Sequence, residues 1–103
     1  MSIQESSRRV YRYRLPLQVV SVETDWPVGS VPISVALRGD EFDVWADVPY
    51  PDLRKVSKRF FVVGTGQSVP RCDVFLGTLV QFAEDAPDGR WVWHVFHDPD
   101  EGV

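Results

Sequence analysis

Short period-two runs of apolar side chains, each cut off by proline or glycine, constrain this chain more than any other feature. Tyr11, Tyr13 and Leu15 alternate with Arg12 and Arg14, and Pro16 closes the run. Val31, Ile33, Val35 and Leu37 alternate with Pro32, Ser34, Ala36 and Arg38. Phe42, Val44, Ala46 and Val48 alternate with Asp43, Trp45 and Asp47. Alternation at period two puts one set of side chains on each face of a strand. The 8 prolines and 7 glycines punctuate these runs, and no long amphipathic helix fits the pattern anywhere. Valine is the commonest residue, as suits strands.

Read in order, the runs give six or seven strands. The first is centred on Tyr11–Leu15. A second lies around Val20 and Val22 and is closed by Asp25-Trp26-Pro27-Val28-Gly29. Val31–Leu37 and Phe42–Val48 form a hairpin about Arg38-Gly39-Asp40-Glu41. After the connector Pro49–Lys55, where one helical turn could form, Lys58–Val63 is apolar on both faces toward its end, which marks a central strand. Gly64-Thr65-Gly66-Gln67-Ser68-Val69-Pro70 leaves regular structure. Val74–Phe82 and Trp91–Phe96 make a last hairpin around Ala86-Pro87-Asp88-Gly89. The expected fold is all-β: a small six- to seven-stranded antiparallel sandwich or partly open barrel. One domain spans residues 1–103, with an ordered core of about 9–97 and loose tails at both ends.

Composition removes several classes of function. Cys72 is the lone cysteine, which excludes an intrachain disulfide and a multi-cysteine metal site and fits a reducing, cytoplasmic compartment. The first seven residues are polar and form no signal peptide. The longest apolar run is Phe60-Phe61-Val62-Val63, so no helix crosses a membrane. A net charge of -4 argues against duplex nucleic acid as a partner. That charge is uneven, however. Arg8, Arg9, Arg12 and Arg14 cluster, as do Arg54, Lys55, Lys58 and Arg59, and either cluster could meet a small anion.

Individual residues carry rival readings. Trp45 stands between Asp43 and Asp47, out of phase with its strand's apolar face. It can cover the second sheet face, pack an interface or stack on a base. Trp91 and Trp93 point one way on their strand while Val92, His94 and Phe96 point the other, so both faces call for cover. His94 among apolar neighbours reads first as a satisfied core histidine. His94 and His97, three apart on a strand, face opposite sides and do not chelate one ion, so no metal is expected. The Gly64–Ser68 loop is either a plain turn or an anion-binding nest, and it lacks the lysine and helix of a nucleotide-triphosphate loop. Asp43 and Asp47 would lie roughly 13 Å apart along a strand, too far for paired-carboxylate chemistry. Neither Cys72 nor Ser68 has a recognisable base, and evidence for an enzyme is thin.

Four stretches, Tyr11-Arg12-Tyr13, Val44-Trp45-Ala46-Asp47-Val48, Arg59-Phe60-Phe61-Val62-Val63-Gly64-Thr65-Gly66 and Val92-Trp93-His94-Val95-Phe96, with Gly77-Thr78 before the last, resemble in order a family of short tailed-phage proteins. The chain departs from that pattern at Gln67, where a histidine is common, and at His97, where an acid is common. An amide cannot titrate, which counts against catalysis at position 67. The resemblance implies a cytoplasmic anti-defence protein of an infected bacterium. It would be a homo-oligomer that sequesters a small nucleotide-derived immune signal without turnover and needs no cofactor. In that reading Trp45 and Trp93 stack on bases, Arg12, Arg14 and Arg59 neutralise phosphate, and Thr65 and Gln67 hydrogen-bond, in a pocket at a subunit interface. The alternatives are cleavage of such a signal with His94 as general acid or base, and a protein-binding inhibitor or virion accessory factor docking through the tryptophans.

Overall fold

The computed structural model describes residues 8–17, 21–49, 54–69 and 73–99. Seven strands run through them: β1 (Arg8–Pro16), β2 (Ser21–Pro27), β3 (Val31–Arg38), β4 (Glu41–Pro49), β5 (Lys55–Gly64), β6 (Val74–Phe82) and β7 (Arg90–His97). A short 3₁₀ turn, Pro87–Gly89, leads into β7. Every pairing is antiparallel. The strands form two open sheets, β1-β4-β3 and β2-β5-β7-β6, so the fold is an all-β sandwich and not a closed barrel. The expected helical turn after Pro49, the loose tails and Cys72 fall in whole or in part outside the described residues.

Period-two alternation builds the core. Phe42, Val44, Ala46 and Val48 of β4 are all buried. Leu15 and Tyr13 of β1 sit opposite Phe42 and Val44, and Leu37 and Val35 of β3 flank the same pair. The other sheet contributes Phe60, Val62, Leu79 and Val95 to one continuous cluster. Burying each such side chain contributes about 1.5–3 kcal/mol. β5 lies between β2 and β7 and buries both Val62 and Val63, as a central strand does.

Two expectations need correction. Asp25-Trp26-Pro27 is no turn: Trp26 belongs to β2 and is 0% exposed. Its ring stacks on Tyr13 at 4.6 Å and meets Phe60 at 5.2 Å, which ties the two sheets together. Nor does the β3 alternation run unbroken. A bulge between Pro32 and Ser34 resets the register, so Val31 and Ile33 are 49% and 51% exposed while Val35 and Leu37 face inward. A bulge adds one residue to a strand and flips every side chain beyond it.

Gly77 lies where β6 approaches β3. A Cβ there would come within 2.5 Å of Val35 Cγ2, so glycine lets this side of the sandwich close. β5 and β6 both run antiparallel to β7 and therefore parallel to each other. Gly64 sits opposite Trp93 and Val74 opposite His97, so between β5 and β6 the chain must return along β7 from the level of Trp93 to that of His97.

Candidate functional site

The residues expected to share a pocket are divided between opposite sides of the sandwich. Arg12, Arg14 and Trp45 lie on the outward face of the three-stranded sheet. There Arg12 is directly opposite Trp45, and Ser34 flanks it from β3. Most of the charge on this face is already matched. Arg8 Nε donates to Asp47 Oδ1 at 2.6 Å, and Arg14 and Arg38 approach Asp43 at 3.4 and 3.8 Å. Asp43 is 3% exposed, so its carboxylate is fixed between two guanidiniums. Among the described residues Arg12 makes no ion pair. Within one chain this face cannot join Trp93, which belongs to the other sheet.

Trp93 points inward, packed at the margin of the core, and its indole Nε1 donates to Gln81 Oε1 at 3.2 Å. It stacks on Trp91 with ring centroids 6.1 Å apart. The two tryptophans thus share a face, as the alternation required, and it is the core-side face. Trp93 covers the core margin, and Trp91, at the strand's end, remains 38% exposed. Arg59 is on the outward face of β5 and is engaged by Glu23 at 2.9 and 2.8 Å. It is five residues from Gly64, roughly 17 Å by strand rise, and so apart from the Gly-Thr-Gly turn.

Around that turn the expected residues do converge. Gly66 takes a φ of +92°, a conformation glycine adopts freely. Gln67 closes the turn on itself: its backbone N–H donates to Gly64 O at 3.0 Å, and its Oε1 accepts from Gly64 N–H at 2.7 Å. Its carbonyl is therefore spent inside the loop, and so is one amide of the supposed anion nest. Thr65 Oγ1 lies 3.0 Å from His94 Nε2, and Thr78 Oγ1 lies 3.2 Å from His94 Nδ1. A neutral imidazole has one donor and one acceptor nitrogen, and a hydroxyl serves either, so both ring nitrogens are satisfied. His94 thus faces outward between two threonines, and is not a core histidine.

Beside this trio a groove of about 400 Å³ is lined by Thr65, Asp88, Arg90, Trp91 and Val92. That volume falls within the usual size of small-molecule sites. Sequence reasoning missed Asp88 and Arg90, and considered Trp91 without placing it in a site. The available signal was the turn Pro87-Asp88-Gly89: Asp88 at φ 57° and Gly89 at φ 74° bend the chain sharply, which brings Asp88, Arg90 and Trp91 to one opening.

A second polar group sits at the far end of β7. His97 faces the core side, opposite His94 as expected, and its ring lies 6.4 Å from Phe60. Burial, first, pushes its pKa down, and nearby Lys58 adds to this; the Asp98 backbone contact and the Asp73 and Asp98 carboxylates oppose it. Asp73 is pushed up by burial and then by Asp98. No cluster of metal-ligating side chains occurs among the described residues. No helix among them is long and apolar enough to cross a membrane.

Fold and groove together define an open two-sheet β-sandwich with a small-molecule-sized cleft at one end of its larger sheet. The chain belongs to the family described as Domain of unknown function (DUF7352), which matches residues 6–103. No curated protein and no solved structure matches it.

Proposed function

We propose that this chain binds a small nucleotide-derived ligand, of the cyclic dinucleotide or cyclic ADP-ribose type, and holds it without turnover. The observation that carries the reading is the groove beside the Gly-Thr-Gly turn, whose lining includes Thr65, Asp88, Arg90 and Trp91. Trp91 offers a stacking face for a base, an interaction of about 1–3 kcal/mol. Arg90 can take a phosphate bidentately, Thr65 can donate to it, and Asp88 can accept from a ribose hydroxyl or an exocyclic amine. The resemblance to short tailed-phage proteins supports an anti-defence role in the cytoplasm of an infected bacterium. Arg12, Arg14 and Trp45 lie on the other sheet, so within this reading they would reach the ligand only from a second copy of the chain.

Isothermal titration against a panel of cyclic dinucleotides and cyclic ADP-ribose isomers tests it. One member should bind, and Trp91→Ala or Arg90→Ala should weaken that binding at least about fivefold, the loss expected for one stacking or charge-assisted contact. Flat traces from folded protein across the panel overturn the reading. The Thr65–His94–Thr78 trio favours a second reading, cleavage of the same ligand with His94 as general base. Heat-denaturing the loaded protein separates the two: a sequestering protein releases intact ligand, an enzyme releases products.

A further inference from the structure

Strand β6 differs from every other edge of the sandwich. The two sheets end in four edge strands: β1 and β3 in one, β2 and β6 in the other. Exposed edges invite strand addition, and proteins block it with charge, proline or a bulge. β1 carries Arg8, Arg9, Arg12 and Arg14 and ends in Pro16. β2 carries Glu23, Asp25 and Pro27. β3 carries Pro32, a bulge and Arg38. β6 reads Val74-Phe75-Leu76-Gly77-Thr78-Leu79-Val80-Gln81-Phe82, nine residues with neither charge nor proline. Its one irregularity lies between Phe75 and Gly77, so Thr78–Phe82 is a regular stretch. Among the described residues its only ladder partner is β7.

The same strand exposes apolar side chains on its outward face: Phe75 is 55% exposed, Val80 39% and Phe82 80%. At about 200 Å² for a whole phenylalanine, these three leave roughly 300 Å² of apolar surface in water. Pairing at this edge brings outward side chains of Thr78–Phe82 beside those of the neighbouring strand, which covers part of that surface, and the ladder adds main-chain hydrogen bonds.

We infer that β6 is a homodimer edge: two copies pair antiparallel through Thr78–Phe82 and extend the four-stranded sheet into one of eight strands. An uncharged strand does not select a partner of opposite charge, whereas its own copy matches it face for face. With the two-fold axis through Val80, Thr78, Val80 and Phe82 of both copies stay on the outward face. Val80 then meets its counterpart, and each Phe82 lies beside Thr78 of the partner subunit. The contact is isologous and closes at two copies.

Sedimentation velocity at about 100 μM, where mass action favours association, tests the pairing. Wild type should sediment as a dimer. Val80→Lys should sediment as a monomer with an unchanged far-UV circular dichroism spectrum, since the site is on the surface. In a Cys72→Ser background, Val80→Cys should oxidise to a covalent dimer, because facing residues in an antiparallel pair lie about 4.5–5.5 Å apart, within disulfide reach. Arg12→Cys in that background, on the opposite sheet, should not. A monomeric wild type, a dimer that survives Val80→Lys, larger polymers, or equal cross-linking at position 12 each overturns the inference.

Discussion

Replacing Gly77 by alanine tests how the two sheets meet at β3 and β6. The new Cβ would stand 2.5 Å from Val35 Cγ2, whereas carbon atoms rest about 3.5–4.0 Å apart. Relief of at least about 1 Å must come from parting the strands or from driving Val35 off its rotamer. Overpacking of this kind costs about 1–3 kcal/mol. Against it, alanine restricts the unfolded chain and returns about 0.4–1 kcal/mol, a gain that applies because Gly77 has no positive φ. The balance is a destabilisation of about 1–2 kcal/mol. In a chain of this size that lowers Tm by roughly 5–15 °C. Urea unfolding followed by tryptophan fluorescence should show a lower midpoint at unchanged slope. Val35→Ala removes the clashing methyl, so the double variant should be more stable than the sum of the single changes by about 1 kcal/mol. Undiminished stability in Gly77→Ala, or strict additivity with Val35→Ala, would refute the geometry.

Acid sensitivity should centre on His97. Its folded pKa lies below the ordinary 6.5, so as pH falls the unfolded chain takes up the proton first. The stability it contributes is intact above 6.5 and is lost as pH drops through the folded value, so Tm should fall on acidification from neutrality. Asp73 has the opposite sign. Its folded pKa is raised above 3.8, so its contribution is present below 3.8 and is lost as pH rises through the folded value. His97→Phe keeps a ring against Phe60 and should flatten the pH dependence below 6.5; an unchanged slope assigns the effect elsewhere. For the Gly-Thr-Gly turn, Gln67→Ala removes the acceptor of the Gly64 N–H and should cost about 0.5–1.5 kcal/mol. The Gly64 amide should then exchange faster with deuterium, and unchanged exchange would show that the side chain does not hold the loop.

The strands were legible because each half-buried run repeats at two, and the β3–β4 and β6–β7 hairpins because glycine marks their turns. Ile33 shows the limit of that reading: the bulge beside it leaves the composition untouched and reverses the face. Trp26 was hidden by its neighbours, since Asp25 and Pro27 are turn residues in isolation but strand residues when the strand is an edge. The candidate site was half legible. Thr65 and His94 were both candidates and do meet, but placing Trp45 and Trp93 together needed knowledge of which sheet each strand joins. β1 finds β4 and β2 finds β5 across long sequence separations, and no local pattern encodes such pairings. Asp88 and Arg90 go unread, and Trp91 is not placed in a site, because their meeting at one groove comes from backbone turning at Asp88 and Gly89.

The position of β7 also bears on how the molecule is made. The last of the seven strands in chain order occupies the middle of its sheet, between β5 and β6. Until it is synthesised, β5 and β6 have no neighbour on the sides that later face it, and Phe60, Val62 and Leu79 have no Val95 to close over them. A growing chain therefore cannot complete this half of the sandwich stepwise behind the ribosome. Folding should come late and all at once, at the slow rates of topologies dominated by distant pairings, and a chain truncated before Arg90 should aggregate through β5 and β6.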